Sequence, residues 1–132
     1  EGVVPGAGLA LLRAIDAVAE LEAKCSGDEA TGARILRKAL EAPTRQIAIN
    51  SGLDAGVVVD RMRAGSGALG FNAARGDYVD LIEAGIIDPT KVVRSALENA
   101  VSVAGVLLLA EGTLTEIEEK PAERGPGMPD MT

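Results

Sequence analysis

Apolar residues recur at helical spacing along most of the chain. Leu11, Leu12, Ile15 and Val18 share one face of a helix predicted over Leu9–Cys25, with Arg13, Asp16 and Glu20 on another. Ser26-Gly27-Asp28-Glu29 has the form of a capping box, Ser26 as N-cap and Glu29 reaching back to it. The helix it opens runs to about Ala42, with Ala33, Leu36 and Leu40 inward and Arg34, Arg37, Lys38 and Glu41 outward. Pro43 marks a break or a new first turn, and a short helix from Thr44 to Ser51 stops at Gly52. Asp54 caps another short helix to about Arg63, carrying Val57, Val58 and Met62.

Periodicity weakens afterwards. Ala64 to Gly70 carries three glycines and should be the most flexible stretch. Phe71-Asn72-Ala73-Ala74 and Tyr78-Val79, separated by Arg75-Gly76-Asp77, suit a small hairpin or turn. A short helix is expected from about Asp77 to Ala84, ending at Gly85, and then Ile86-Ile87 as a brief buried extended segment. Asp88-Pro89 is a helix start, Asp as N-cap and Pro at the first position. The helix it opens is the longest, with Val93, Leu97, Ala100, Ala104 and Leu107 as a stripe. Beyond Val101 it is apolar nearly all round, which predicts a central, fully buried helix ending at Gly112. Glu1 to Gly8 reads as a loop, Thr113 to Glu118 as a strand, and Pro121 to Thr132 as a mobile tail. No internal repeat is present. The expected fold is mostly helical, a bundle with small extended pieces.

Composition narrows the chemistry. In 132 residues there are one Phe, one Tyr and no Trp, so the core must be aliphatic and base-stacking platforms are scarce. The net charge of −7 disfavours general nucleic-acid binding. The absence of His excludes His-based zinc sites and Ser-His-Asp triads. A single Cys25 forms no internal disulfide, which suits a reducing, cytoplasmic setting. The run from Val101 to Ala110 is too short to span a bilayer, so no membrane contact is expected, and no cationic start precedes an apolar stretch as in a signal peptide. The chain opens on Glu1 rather than Met, as a piece of a longer protein or a processed one would.

The candidate chemistry is correspondingly spare. Asp77, Asp80 and Glu83 lie close together, as a solvated acidic face does. Arg75-Gly76-Asp77 is more economically a turn than an adhesion motif. Cys25 has no His to activate it. No Gly-x-x-x-x-Gly-Lys-Ser/Thr loop is present. Pro5-Gly6-Ala7-Gly8 before a helix is either a plain turn or a place where backbone N–H groups approach a ligand. Asp88 is either a helix cap or an acceptor for sugar hydroxyls, and Asn72 could read a base edge.

Several segments taken together are far more specific. Glu1-Gly2-Val3-Val4-Pro5-Gly6-Ala7-Gly8, Glu41-Ala42-Pro43 with Arg45-Gln46-Ile47, Gly70-Phe71-Asn72-Ala73-Ala74, Gly85 to Val92 with Arg94-Ser95-Ala96-Leu97, and Ala100 to Ala104 occur in this order. Over residues 1–118 the chain resembles the C-terminal part of the equatorial domain of group I chaperonins, the GroEL type; residues 119–132 match only loosely, as a C-terminal tail. The resemblance implies an ATP-hydrolysing folding machine of two stacked seven-membered rings, with magnesium and potassium at its nucleotide, a co-chaperonin, and unfolded polypeptides as clients. It puts adenosine contacts on Gly6 and Ala7, on Asn72, Ala73 and Ala74, and on Ile86 and Asp88. Asn72 and the adjacent backbone would meet the base, Ile86 would pack on it, and Asp88 would hold the ribose. Ala7 departs from the family's usual glycine. If its φ is positive, the added methyl has a cost. In the family the phosphate loop and the magnesium-binding and catalytic aspartates lie upstream of the matched region, so no catalytic or metal-binding residue is expected here and the chain alone should not hydrolyse ATP. Arg45 and Asp54 match a charged contact between rings, and Thr113–Glu118 a strand shared with a neighbouring subunit. The competing reading is a stand-alone helical interaction or scaffold module without ATPase activity.

Overall fold

The computed structural model describes residues 1–116. Its elements in order are β1 (Val3–Pro5), α1 (Leu9–Glu22), α2 (Gly27–Ala39), α3 (Ala42–Asn50), α4 (Ala55–Ala64), β2 (Leu69–Asn72), β3 (Asp77–Asp80), β4 (Ile87–Pro89) and α5 (Thr90–Leu109). Helices dominate, as the periodicity predicts. Two antiparallel strand pairs complete the fold, β1 with β4 and β2 with β3. The chain divides into two compact units within α5, one from Glu1 to Glu98 and one from Asn99 onward.

The core of the first unit is aliphatic. Leu9, Leu12 and Ile15 of α1, Leu40, Ala48 of α3, Val58, Val59 and Met62 of α4, Phe71 and Leu81 are all buried, and Leu36, Ile47 and Leu97 pack against them. On α4, Val58, Val59 and Met62 are buried and Val57 is 64% exposed. Val57 stands on the outward side of the turn that places Val58 and Met62, four residues apart, inside. The sole Phe is wholly buried, its ring 5.6 Å from that of Tyr78, and the Arg61 guanidinium lies 4.0 Å from the Tyr78 ring centre.

Capping follows the sequence at one helix and departs from it at two. The Asp54 carboxylate accepts from the Val57 N–H at 3.0 Å, as an N-cap should. Ser26 occupies the N-cap position of α2 with extended backbone, yet its hydroxyl makes no cap bond, so the capping box does not close. Asp88 is not a helix cap. It lies in β4 opposite Val4, Pro89 closes that strand, and the helix begins at Thr90, whose N–H donates to the Gly2 carbonyl at 3.1 Å. Strand pairing with β1 captures the Asp-Pro dipeptide before the helix does, and an extended residue before Pro is sterically favoured.

β1 replaces the expected loop at the N-terminus for the same reason: its partner is more than eighty residues away, and no local signal announces it. The expected helix over Asp77–Ala84 is a strand and then a single turn. Tyr78 and Val79 pair with Phe71 and Gly70. The Asp80 carboxylate then accepts from the N–H groups of Ile82 (2.9 Å) and Glu83 (3.0 Å), and Ala84 N–H closes the turn on the Asp80 carbonyl. Gly70 permits this packing, since a Cβ there would collide with the Leu81 side chain. Ile87, expected to be buried, is 44% exposed, while Ile86 is half-buried.

α5 is a correction of another kind. It ends at Leu109, three residues before Gly112, and carries no buried residue; Leu107, Leu108 and Leu109 are 60–86% exposed. Apolar composition states that a face favours cover without naming what supplies it. By length and composition alone α5 could also cross a membrane, a reading that the shorter Val101–Ala110 run does not reach. Residues 113–116 of the expected C-terminal strand form no strand, and its last two residues, with the tail from 119, lie outside the described residues.

Candidate functional site

The Pro5–Gly8 turn is built by close backbone approach on both sides. The Gly6 N–H donates to the Ile86 carbonyl at 2.9 Å, and the Leu9 N–H returns to the Gly6 carbonyl at 2.9 Å. A Cβ on Gly6 would lie 3.1 Å from the Ile86 oxygen, so only glycine fits without a shift. Gly8 ends the turn at φ 75° as the N-cap of α1, and a Cβ there would collide with the Thr44 hydroxyl. No side chain caps α1, so its first-turn N–H groups are not claimed by one. Ala7 has φ 54°, the one positive value at a non-glycine residue among the described residues. The condition attached to its methyl is therefore met: the backbone at Ala7 is left-handed and an alanine strains it.

Thr44 was not singled out by sequence, yet it organises this turn. It is 1% exposed, near the start of α3, and its hydroxyl donates to the Ala7 carbonyl at 3.0 Å. A threonine in the first turn after Pro43 reads as ordinary helix-start chemistry, which conceals its tertiary role.

The β1–β4 ribbon brings Gly6, Ala7, Ile86 and Asp88 to one place. Val4 faces Asp88 and Pro5 faces Ile87 across the pair. Asp88 is half-buried, and its carboxylate makes no hydrogen bond or ion pair among the described residues, so its acceptor capacity is free for a ligand. Behind the ribbon, Arg94 donates to both oxygens of Glu1 (2.7 and 3.2 Å) and to Glu98 (2.9 and 3.1 Å). The Glu1 hydrogen bonds, and then Glu98, hold the Arg94 pKa above its ordinary value. This clamp ties the start of β1 to α5 and was not visible as a pair ninety-three residues apart.

Asn72, Ala73 and Ala74 stand at the turn of the β2–β3 hairpin. Asn72 is 8% exposed, and its Oδ1 accepts from the Ala74 N–H at 3.1 Å. That bond shapes the turn and leaves the Nδ2 donors of the side chain for a ligand. The structure joins the hairpin to the other segments through Leu81: its N–H donates to Ala68, and its carbonyl accepts from Ile86 at 2.8 Å. No direct hydrogen bond links Asn72 to Gly6 or Asp88.

The two residues matched to a contact between rings have partners of their own. Arg45 makes a two-pronged ion pair with Glu41 (2.8 and 3.0 Å), one turn away, and Asp54 caps α4. Asp77, Asp80 and Glu83 form no metal-holding group; none exists among the described residues. Cys25 is a half-buried free thiol.

A turn that admits backbone closely, a free half-buried carboxylate and a buried amide with open donors suit a ligand with hydroxyls and a heteroaromatic edge. Hydrogen-bonding groups rather than aromatic faces make up this donor set.

Comparison with known proteins bears on that fit. Residues 1–117 match the TCP-1/cpn60 chaperonin family. The chain is 66% identical over 131 residues to a protein named Chaperonin GroEL 5 from Bradyrhizobium diazoefficiens, covering 99% of this chain and 24% of that one. It thus spans about a quarter of the length of that relative. The fold is similar to a group III chaperonin in the open state (TM-score 0.78, 30% identity, 86% of this chain and 24% of the other). It is also similar to the open-state monomer of a group II chaperonin from Methanococcoides burtonii (TM-score 0.73, 28% identity, 81% and 27%).

Proposed function

The chain belongs to the TCP-1/cpn60 chaperonin family, and from that premise we propose that it supplies the nucleoside side of the ATP site in a protein-folding ATPase. The observation that carries this reading is the β1–β4 ribbon, which sets the tight Gly6 turn beside the free carboxylate of Asp88. Asp88 accepts hydrogen bonds from the two ribose hydroxyls. Ile86 offers an apolar surface to the base, Asn72 donates from Nδ2, and the backbone of Ala73 and Ala74 completes the polar edge. Gly6 and Ala7 admit the nucleotide close to the main chain at the start of α1. Bound ATP supplies phosphoryl transfer to water; the residues of this chain bind and orient it. Magnesium and potassium accompany the nucleotide, with ligands other than the residues described.

As in the family, we read the protein as a homo-oligomer of two stacked seven-membered rings in the cytoplasm, working with a co-chaperonin on unfolded polypeptides. The apolar stretch of α5 is then a protein-packing face rather than a bilayer span. Family membership favours this reading over a stand-alone scaffold module.

Calorimetric titration of the 132-residue chain with ADP tests the site. Asp88→Ala is expected to weaken binding about tenfold, the effect of losing charge-assisted hydrogen bonds. An analogue lacking both ribose hydroxyls should bind parent and variant alike. Equal ADP affinity in parent and variant would remove the ribose role. The chain alone is expected to show no metal-dependent ATP turnover.

A further inference from the structure

Four cationic side chains from two helices crowd one region of the first unit. Arg34, Arg37 and Lys38 stand on α2 and Arg63 on α4. With Glu41 they line a depression of about 300 Å3 whose apolar wall is the buried Ile15. The charges there do not balance. Glu22 pairs with both Arg34 (3.0 Å) and Arg37 (3.2 Å), and Glu41 with both Arg45 (2.8 Å) and Arg63 (3.4 Å). Lys38 makes no ion pair among the described residues. Glu22 and Glu41 thus stand against the four cations that line the depression, on a chain whose net charge is −7, and Arg63 also borders Asp16 and Asp60 in an adjoining depression.

The geometry of the pairs sharpens the point. The two carboxylates belong to the covered members, each with its side chain 16% exposed, while the arginine side chains are 42–64% exposed. Arg34 and Arg37 both engage Glu22 through Nε. Their terminal Nη1 and Nη2 groups, the fork that matches an oxyanion two-prongedly, remain open. Glu22 and Glu41 therefore act as pins that orient the cations toward solvent. An exposed ion pair is weak by itself, so these carboxylates do not neutralise the patch against a stronger anion.

We propose that this depression is a binding site for linked phosphate groups, of the pyrophosphate or polyphosphate class. A single carboxylate or monoanion would engage one fork. Linked phosphates carry charge on several oxygens and can reach donors on α2 and α4 together. The site shares no residue with Gly6, Asn72 or Asp88 and stands apart from the nucleoside reading.

The test is titration of the 132-residue chain with sodium pyrophosphate, followed by nuclear magnetic resonance. Saturable shifts are expected at Lys38 and at the Arg37 and Arg34 side chains, weakening steeply as salt rises. Lys38→Gln should weaken binding several-fold, and Arg37→Gln with Lys38→Gln about tenfold or more. Arg75→Gln, in the hairpin turn, should leave it unchanged. Because Lys38 is exposed and unpaired, its variant keeps the fold whatever the double variant does. Parallel titrations with ATP and with tripolyphosphate separate the sources: tighter tripolyphosphate binding assigns the site to free phosphate chains, and tighter ATP binding to a nucleotide tail. No saturable shift at low salt, or equal affinity in parent and Lys38→Gln, would overturn the proposal. So would tighter binding of poly-glutamate than of pyrophosphate, which would make the patch an acidic-peptide surface.

Discussion

The Thr44 hydroxyl donates to the Ala7 carbonyl at 3.0 Å, and through that bond a buried side chain of α3 holds a left-handed residue in the turn before α1. Thr44 is almost wholly buried, so the bond forms without competing water. It fixes the peptide of Ala7 in the orientation that an alanine at φ 54° would otherwise resist.

Ala7→Gly should therefore stabilise the chain. An L-residue in the left-handed region costs about 1–2 kcal/mol, and the extra freedom of unfolded glycine takes back part of that. The expected net gain is up to about 1 kcal/mol, read as a higher urea midpoint at unchanged slope. A lower midpoint would show that the turn carries no strain.

Thr44→Val tests the bond from the other end. The substitution keeps the shape and removes the donor, leaving the Ala7 carbonyl unpaired. A loss of about 1–3 kcal/mol is expected in the same denaturation experiment, with Thr44→Ser retaining most of it. No loss on Thr44→Val would mean that solvent replaces the hydroxyl freely.

The two helix-start positions should respond differently. Asp54→Ala removes a cap that accepts from Val57 N–H at 3.0 Å and should cost about 1 kcal/mol. Ser26→Ala removes no cap bond and should fall within about 0.5 kcal/mol of the parent, as an exposed substitution does. Equal losses at the two sites would contradict a cap bond at Asp54 and none at Ser26.

Phe71 is the largest wholly buried side chain. Phe71→Ala should cost about 3–5 kcal/mol, enough to unfold a domain of ordinary stability. Phe71→Leu should cost much less, because the aliphatic surroundings adapt to it. Thermal melts followed by circular dichroism distinguish the two, and similar melting points would sink the claim.

The exposed end of α5 should bind hydrophobic probes. Val106, Leu107, Leu108 and Leu109 are 60–86% exposed, a contiguous apolar run of the kind that marks an interaction surface. Leu108→Lys with Leu109→Lys should lower the fluorescence of an added naphthalene sulfonate dye while leaving the melting temperature within about 2 °C. Unchanged fluorescence would place the dye elsewhere.

Most helices were legible because their information is local. The spacing of Leu12 and Ile15, the break at Pro43, the stop at Gly52 and the cap at Asp54 lie within a few residues of the elements they define. The hairpin was legible for the same reason, through two short apolar runs around Arg75-Gly76-Asp77. Candidate site residues could be named from the order of several motifs, whereas each motif alone left a turn or a cap as the simpler account. Thr44 and Arg94 were missed because their meaning depends on partners thirty-seven and ninety-three residues away.

By itself, then, the sequence determined the aliphatic core, the helical class, the four leading helices and the family resemblance, because composition and short-range periodicity act within one or two turns. Tertiary structure alone decided that Val3–Pro5 is a strand, that Asp88 is a free carboxylate in its partner rather than a helix cap, that Ala7 is left-handed, and that α5 carries no buried residue among the described residues. Each of those facts depends on a contact, or the lack of one, between segments far apart in sequence. A local propensity such as that of Asp-Pro to start a helix is worth about 1 kcal/mol, and pairing with a distant strand readily outweighs it.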